Sequence, residues 1–222
     1  MVRPLYDIFN AVPRRYDLVN RIITWGLDKR WRLKAAESCL LSRQEIILDL
    51  CCGTGDLAIQ ISRLSKGEPE IIGLDYSQPM LDIANEKAKL LNRKPSFVSG
   101  DAASLPFPDD YFDCVGISFA FRNLTYKNPL ASQYVSEVKR VLKPNGRFVI
   151  IESSQPNGKV LRTLFHLYLY WFVFKVGALV SGNKGAYRYL AESATRFYTP
   201  LEIRQMLITA GFSDVSFRPF LF

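Results

Sequence analysis

The segment Leu48-Asp49-Leu50-Cys51-Cys52-Gly53-Thr54-Gly55-Asp56-Leu57-Ala58, followed by Gly73-Leu74-Asp75, constrains this chain more than any other. The apolar run at residues 45–50 reads as a buried strand, and Gly53 and Gly55 allow a sharp turn with no Cβ between backbone and ligand. A short helix packed on a sheet is expected next. A second apolar run, residues 70–74, then ends at Asp75, whose carboxylate can accept hydrogen bonds from the two hydroxyls of a ribose.

Two ligands suit such a turn. Gly53-Thr54-Gly55-Asp56-Leu57-Ala58 fits the G-x-G-x-x-G/A pattern of dinucleotide binding, with an acid about 20 residues further on. A pyrophosphate, however, seeks the free N–H groups of a helix N-terminus, and Asp56 would put a negative charge beside it. Asp49 adds a second carboxylate before the turn. Two acids favour a cationic amino-acid and sulfonium ligand, which S-adenosylmethionine is.

At 222 residues and 48% apolar composition, the chain can bury one good core, so a single domain is expected over residues 1–222. Within it, residues 1–42 form an N-terminal helical segment, 43–155 the cofactor-binding core, 156–199 a helical cap, and 200–222 a C-terminal helix and strand. Cys39, Cys51, Cys52 and Cys114 follow no metal-ligand or disulfide spacing, so no metal is expected and buried thiols in a reducing cytoplasm are. Residues 1–4 show no secretory signal. The net charge of +8 sits at the two ends, +5 over residues 1–34 and +5 over residues 159–222, against −2 between them. A solvated basic face or contact with an anionic membrane surface accounts for this, and no basic and aromatic module for nucleic acid accompanies it.

Strands and helices alternate from residue 45 to residue 153. A helix is expected at 80–91, a strand at 95–99 leading to Gly100-Asp101-Ala102, a strand at 111–118, a helix at 129–142 and a strand at 147–151. Lys143-Pro144-Asn145-Gly146 separates the last two. This alternation predicts an α/β fold, a doubly wound, mostly parallel sheet of Rossmann-like type, with ligands outside the carboxyl ends of the strands. Asp49, Asp75, Asp101, Ser118 and Glu152 all fall at such ends.

These motifs, with Leu105-Pro106-Phe107, Phe112-Asp113 and residues 140–146, resemble those of class I S-adenosylmethionine methyltransferases. Ile117-Ser118-Phe119-Ala120-Phe121-Arg122-Asn123, Tyr16-Asp17-Leu18-Val19-Asn20 with Trp25-Gly26 and Trp31-Arg32, and Tyr187-Arg188-Tyr189-Leu190-Ala191-Glu192-Ser193 narrow the resemblance to the ubiquinone/menaquinone biosynthesis C-methyltransferases, from residue 14 to residue 217. The resemblance implies that Thr54 and the glycine turn meet the methionine part of S-adenosylmethionine, Asp75 with its neighbour Tyr76 the ribose, and Asp101 with the Ala102 N–H the adenine. Ser118 would border the methyl donor. Members of the family continue beyond the equivalent of Phe217 with another strand, whereas this sequence stops at Phe222. Residues 211–217 are expected to form a final strand, which either fills the place beside the fifth or leaves an edge exposed.

The implied reaction is C-methylation of a prenylated quinol, demethylmenaquinol or a benzoquinol counterpart. A ring carbon is a weak nucleophile until a neighbouring phenol loses its proton, so Arg122 is expected to stabilise the phenolate and Asn123 to hold the ring, with a surface ion pair as the alternative for Arg122. Tyr16, Asp17, Glu152 or a water ordered by Arg122 are equal candidates for the proton acceptor. A methyltransferase for another lipophilic small molecule, and a cofactor-binding member of a quinone-assembly complex with little turnover, stay open as alternatives. His166, the only histidine, is read as a packed or rim residue inside the aromatic segment 160–180. The uncharged run at residues 167–174, bracketed by Arg162 and Lys175, is too short to cross a bilayer. Its apolar surface is expected to be covered as a cap, with the remainder meeting lipid, a prenyl tail or another subunit in a homodimer, at the inner face of the membrane.

Overall fold

The structure, a computed structural model, describes residues 13–41, 45–65, 69–156 and 158–220, with side chains from Asp17 onward except that of Ser181. Five strands form one sheet in the order β3-β2-β1-β4-β5: β1 (Ile46–Leu50), β2 (Glu70–Asp75), β3 (Ser96–Ser99), β4 (Phe112–Ser118) and β5 (Leu142–Ile151). All four pairings are parallel. Parallel strands are joined by crossovers that cover both faces, which is why β1 and β4 are mostly apolar, with Asp49 and Asp113 as the charged exceptions. Ile47, Leu48, Leu50, Val115 and Ile117 are fully buried there, each contributing about 1.5–3 kcal/mol of transfer free energy.

Ten helices are described. They are α1 (Pro13–Ile23), α2 (Leu27–Cys39), α3 (Asp56–Leu64), α4 (Gln78–Ala88), α5 (Phe121–Thr125), α6 (Ala131–Val141), α7 (Lys159–Leu167), α8 (Phe174–Ser181), α9 (Lys184–Thr195) and α10 (Pro200–Thr209), with a π-helical segment, Tyr168–Val173, between α7 and α8. The chain separates into two compact units, Met1–Pro13 with Lys29–Glu152, and Arg14–Asp28 with Ser153–Phe222. The residues expected as cap and as C-terminal segment thus fall in one unit, joined by a piece of the N-terminal segment.

In the first unit, Arg140 of α6 fastens the loop before β4: its guanidinium donates to the carbonyls of Leu105 and Phe107 and pairs with Glu137 and Asp109. Asp113 accepts from the N–H groups of Glu45 and Ile46 and from Lys143, tying the start of β1 to β4 and β5. β5 begins at Leu142, earlier than expected, because the pairing resumes from Phe112↔Leu142 to Cys114↔Arg147 with Lys143-Pro144-Asn145-Gly146 looped out as an irregularity. α4 starts at Gln78 rather than at residue 80, since Ser77 takes the N-cap position and Pro79 follows within the first turn.

Residues 211–217 do not form the expected strand. α10 ends in a Schellman motif, with the Gly211 N–H donating to Ile208 and the Phe212 N–H to Leu207, and the residues beyond it are mostly exposed. Without a ladder partner the segment has no reason to adopt β geometry, and β5 stands at the sheet edge.

In the second unit, Gly177 of α8 makes room for Tyr187 of α9, whose ring occupies the space a Cβ would fill. Trp25 stacks on Phe172 at 5.7 Å, and Phe172 on Tyr168 at 5.5 Å. The helix running through α7, the π-helical segment and α8 corrects the length argument made from the sequence. Over Lys159–Val180 it is 22 residues long; its most apolar stretch has a mean hydropathy of 1.5, enough to cross a membrane by length and composition, and 17% of that stretch is buried. Arg162 and Lys175 do not end it; Lys175 lays its ammonium 3.9 Å above the Trp171 ring and the helix continues.

Candidate functional site

Because every strand runs the same way, the residues singled out at strand ends meet along one edge of the sheet. Asp49 lies in β1, Asp75 ends β2, Ser118 ends β4, Asp101 follows β3 and Glu152 follows β5. Asp49 is 1% exposed. Its Oδ2 accepts from the Ala58 N–H at 2.9 Å, supplying the helix cap that Gly55, at φ 77°, has no side chain to provide. Its Oδ1 is buried with no partner. Burial pushes the Asp49 carboxyl up to about 8, opposed first by the Ala58 N–H and then by Arg32, and helped by Asp75 and Asp56.

The two glycines of the turn differ. A Cβ on Gly53 would meet nothing within 4 Å, whereas one on Gly55 would lie 2.8 Å from the Phe97 ring and 2.9 Å from Ala84. Gly53 keeps the backbone open to a ligand; Gly55 keeps room for the core. Cys51 also sits in the left-handed region, at φ 52°. Burial, with Asp75 and Asp49 nearby, pushes the Cys51 and Cys52 thiols up and favours the protonated thiol.

Asp56 does not present a free negative charge, contrary to the argument that set it against a pyrophosphate. Lys87 of α4 lies 2.7 Å from its Oδ1, and Arg32 of α2 lies 3.5 Å from its Oδ2. Lys87 also donates to Thr54 Oγ1 at 2.9 Å. Asp49 alone therefore carries the preference for a cation. Neither Arg32 nor Lys87 was assigned a role from sequence; Trp31-Arg32 was visible as a motif, and nothing local marks Lys87.

Asp75 accepts the Gly53 N–H on Oδ2 at 2.8 Å and the Ser77 N–H on Oδ1 at 2.9 Å, while burial holds its carboxyl above the usual range. The Tyr76 N–H bonds the same carboxylate, and three backbone donors against four lone pairs leave room to accept from a ribose hydroxyl. Tyr76 beside it is 45% exposed. Asp101 caps its own turn through the Ala103 N–H at 2.9 Å, and Ala102 is buried. Ser118 Oγ is buried without a partner, as are Asn128 Nδ2 and Tyr134 Oη. Asp101 and Cys51 are among the groups that raise Tyr134, after burial itself. Such orphaned atoms are rare in folded proteins and mark where a ligand or water completes the hydrogen bonding. Asp49 Oδ1 and Ser118 Oγ, on adjacent strands, fit a ligand carrying an ammonium group and polar hydrogens.

Arg122 and Asn123 lie in α5, 4% and 9% exposed. Arg122 is not the surface ion pair weighed from sequence: its Nη1 is 2.8 Å from Glu152 Oε1, and Glu152 Oε2 accepts the Arg122 backbone N–H at 3.0 Å. Glu152 is thus engaged with Arg122. The Tyr16 side chain lies outside the described residues. Asp17 belongs to the other unit, where it is half-buried.

That second unit has a cleft of about 420 Å³ lined by Tyr170, Phe174, Lys184, Arg188, Ala191 and Glu192. Its wall includes part of the 187–193 motif. His166 bridges as a packed residue, its Nε2 2.9 Å from Gln155 Oε1, while Gln155 Nε2 donates to the Ala194 carbonyl at 2.6 Å.

Among solved structures, the YcgJ protein from Bacillus subtilis is similar at a TM-score of 0.58 and 26% identity, over 82% of this chain and 67% of that one. A SAM-dependent methyltransferase from Aquifex aeolicus shares the fold at a TM-score of 0.56 and 19% identity, over 81% of this chain and 78% of that one. Sequence relatives include the demethylmenaquinone methyltransferase of Thermus thermophilus, 41% identical over 93% of this chain and 91% of its own length. That of Thermotoga maritima is 40% identical over 97% and 90%. The ubiquinone/menaquinone biosynthesis C-methyltransferase UbiE of Pectobacterium carotovorum is 37% identical over 95% and 83%. A sequence model of the ubiE/COQ5 methyltransferase family matches residues 3–222, and with a sheet edge built around Asp49, Asp75 and Ser118, the chain belongs to that methyltransferase family.

Proposed function

We propose that the protein methylates a ring carbon of a prenylated quinol, demethylmenaquinol, using S-adenosylmethionine. The observation that carries the donor half is the pair of buried, unpartnered acceptors at the sheet edge, Asp49 Oδ1 and Ser118 Oγ. The acceptor half is supported by the names of the relatives from Thermus thermophilus and Thermotoga maritima. When bound, S-adenosylmethionine supplies an electrophilic methyl group on a sulfonium. Asp49 receives its ammonium group, Asp75 its ribose hydroxyls, and Asp101 with the Ala102 N–H its adenine.

Arg122 acts on the acceptor. Glu152 holds the guanidinium in one orientation from Nη1, so its positive charge is fixed in place to stabilise a phenolate without reorganising. Asn123 keeps the ring aligned for transfer. Both residues are nearly covered, which strengthens electrostatic attraction and excludes water as a competing acceptor.

A peripheral position on the cytoplasmic face of the membrane is part of the same reading. The helix through Lys159–Val180 exposes Val160, Leu164, Trp171 and Leu179, and the region carries Lys159, Arg162, Lys175, Lys184 and Arg188. Apolar burial in the interface and attraction to anionic headgroups then act together. The aromatic and basic cleft at Tyr170 and Arg188 offers the quinol apolar surface on its way from the bilayer.

Labelled S-adenosylmethionine with a chemically reduced demethylated naphthoquinol should yield a C-methylated product, and the parallel benzoquinol reaction should be slower. Transfer to an oxygen or nitrogen acceptor, or cofactor binding with no product from either quinol, would overturn the reading. Sedimentation with vesicles containing anionic lipid should carry the protein down, and Leu164→Glu with Leu179→Glu should leave it in the supernatant. Equal recovery with neutral and anionic vesicles would remove the electrostatic part.

A further inference from the structure

We propose that the cleft between the long helix and α9 binds the phosphate of a phospholipid headgroup, with Lys184 and Arg188 as its cationic partners. The inference rests on the membrane-surface reading given above and says which group of the lipid the protein holds. Tyr170 and Phe174, four residues apart on the long helix, form an aromatic wall. Lys184, Arg188 and Glu192, at the same spacing on α9, share one face and form a charged wall. Ala191 lines the cleft too, with a methyl group that leaves the space open. That space, about 420 Å³, lies within the range of small-ligand sites.

Charge decides the occupant. Among the described residues, the side chains of Lys184 and Arg188 have no ion pair or hydrogen bond, and Glu192 closes on neither. Arg122 and Arg140, by contrast, each have a carboxylate oxygen at 2.8 Å. A neutral quinol moving along the aromatic wall leaves both cations of the cleft without a counter-charge. A phosphate supplies one: the guanidinium presents a planar fork to two of its oxygens, and the ammonium adds a point charge. Two cations and one acid leave a single positive charge, which complements a phosphodiester rather than a free phosphate dianion. The acyl chains of such a diester need apolar surface, and the long helix exposes Leu164, Leu167 and Trp171. Phosphatidylglycerol, whose phosphate has no cation of its own, is the form expected to bind.

The test compares two double variants that remove the same charge, by sedimentation with phosphatidylcholine vesicles containing phosphatidylglycerol. Lys184→Gln with Arg188→Gln should weaken binding at least about tenfold more than Lys159→Gln with Arg162→Gln, which lie outside the cleft, because a held phosphate adds charged hydrogen bonds to the general surface attraction. Equal losses in the two pairs would overturn the site and leave only the general attraction. On the unaltered protein, titration calorimetry with dihexanoylphosphatidylglycerol below its micelle concentration needs no variant to fold. That lipid should bind at least about tenfold more tightly than inorganic phosphate, and Glu192→Gln should narrow the difference by admitting a second negative charge. Equal affinity for the two ligands in the unaltered protein would assign the cleft to free phosphate and overturn the lipid. If the unaltered protein stays in the supernatant with anionic vesicles, the membrane reading itself fails. The short-chain lipid then decides the cleft alone: binding lost in Lys184→Gln with Arg188→Gln upholds it, and no binding to the unaltered protein overturns it.

Discussion

Asp49, Asp75 and Glu152 in the sheet unit each give a carboxylate oxygen to a backbone N–H of that unit, whereas the long helix of the other unit leaves Val160, Leu164 and Leu179 between 58% and 84% exposed. The first unit satisfies its polar groups internally and leaves a few buried oxygens for a ligand. The second keeps apolar surface outward and uses its polar groups, such as Gln155 and His166, to hold segments of the unit together. The proposed reaction, between a small polar cofactor and a water-insoluble acceptor, would draw on these two surfaces. The contrast therefore separates substitutions that act through unpaired charge from those that act through packing.

The largest effect is expected in the sheet unit. Glu152→Ala leaves Arg122 buried without its counter-charge and should lower unfolding free energy by about 3–5 kcal/mol, read by urea titration. Replacing the pair together, with Arg122→Met and Glu152→Leu, should restore most of that stability while abolishing methyl transfer, because two apolar groups carry no desolvation cost. If the double variant is as unstable as the single one, the pair is not what holds α5.

In the helical unit the corresponding liability is steric. Gly177→Ala should destabilise by about 1–3 kcal/mol despite the higher helix propensity of alanine, since the new methyl overlaps Tyr187. Gly185→Ala, whose Cβ would lie 3.5 Å from Asn183 Oδ1, should be neutral or stabilising in the same thermal melts. Equal effects at both positions would mean that the α8–α9 approach is looser than described.

The next test concerns protons. In the free protein the Asp49 carboxyl stays protonated until about pH 8. An ammonium ligand favours the carboxylate, so binding releases a proton and affinity rises with pH. S-adenosylhomocysteine should therefore bind up to about tenfold more tightly per pH unit approaching 8, then level off, and Asp49→Asn should flatten the profile. The same raised value favours the folded state in acid, a contribution lost as pH climbs from about 4 through about 8. The smallest expected effect lies at α10, where Thr199 and Glu202 form a capping box; Thr199→Ala should cost about 1 kcal/mol by thermal unfolding.

The strand ends were legible because an apolar run followed by an acid is local. Asp49, Asp75, Asp101 and Ser118 could be placed on one edge from alternation alone, and the structure puts them there. What those acids do was less legible. Asp56 reads as a free charge until Lys87 and Arg32, distant in sequence, close on it. Arg122 reads as a residue beyond a strand until β5 brings up Glu152. Residues 211–217 have strand-like composition, but a strand needs a partner, and composition does not say whether one is offered. The extent of the long helix was legible from residues 160–180, but its uncharged run was counted only as far as Lys175, whose ammonium lies over an indole face and so interrupts the apolar surface little.

The π-helical segment Tyr168–Val173 bears on how this helix can vary. A π turn holds one residue more than an α turn between bonded partners, so it acts as an accommodated insertion. Deleting a single residue there would restore regular α geometry and leave the helices on either side close to their present bearing, with Gly177 still facing Tyr187. A single deletion in the regular turn just after the segment, by contrast, would rotate everything beyond it by roughly 100° about the helix axis and carry Gly177 away from Tyr187. The π turn is thus the one stretch of this helix where a change of length can be absorbed without a change of phase.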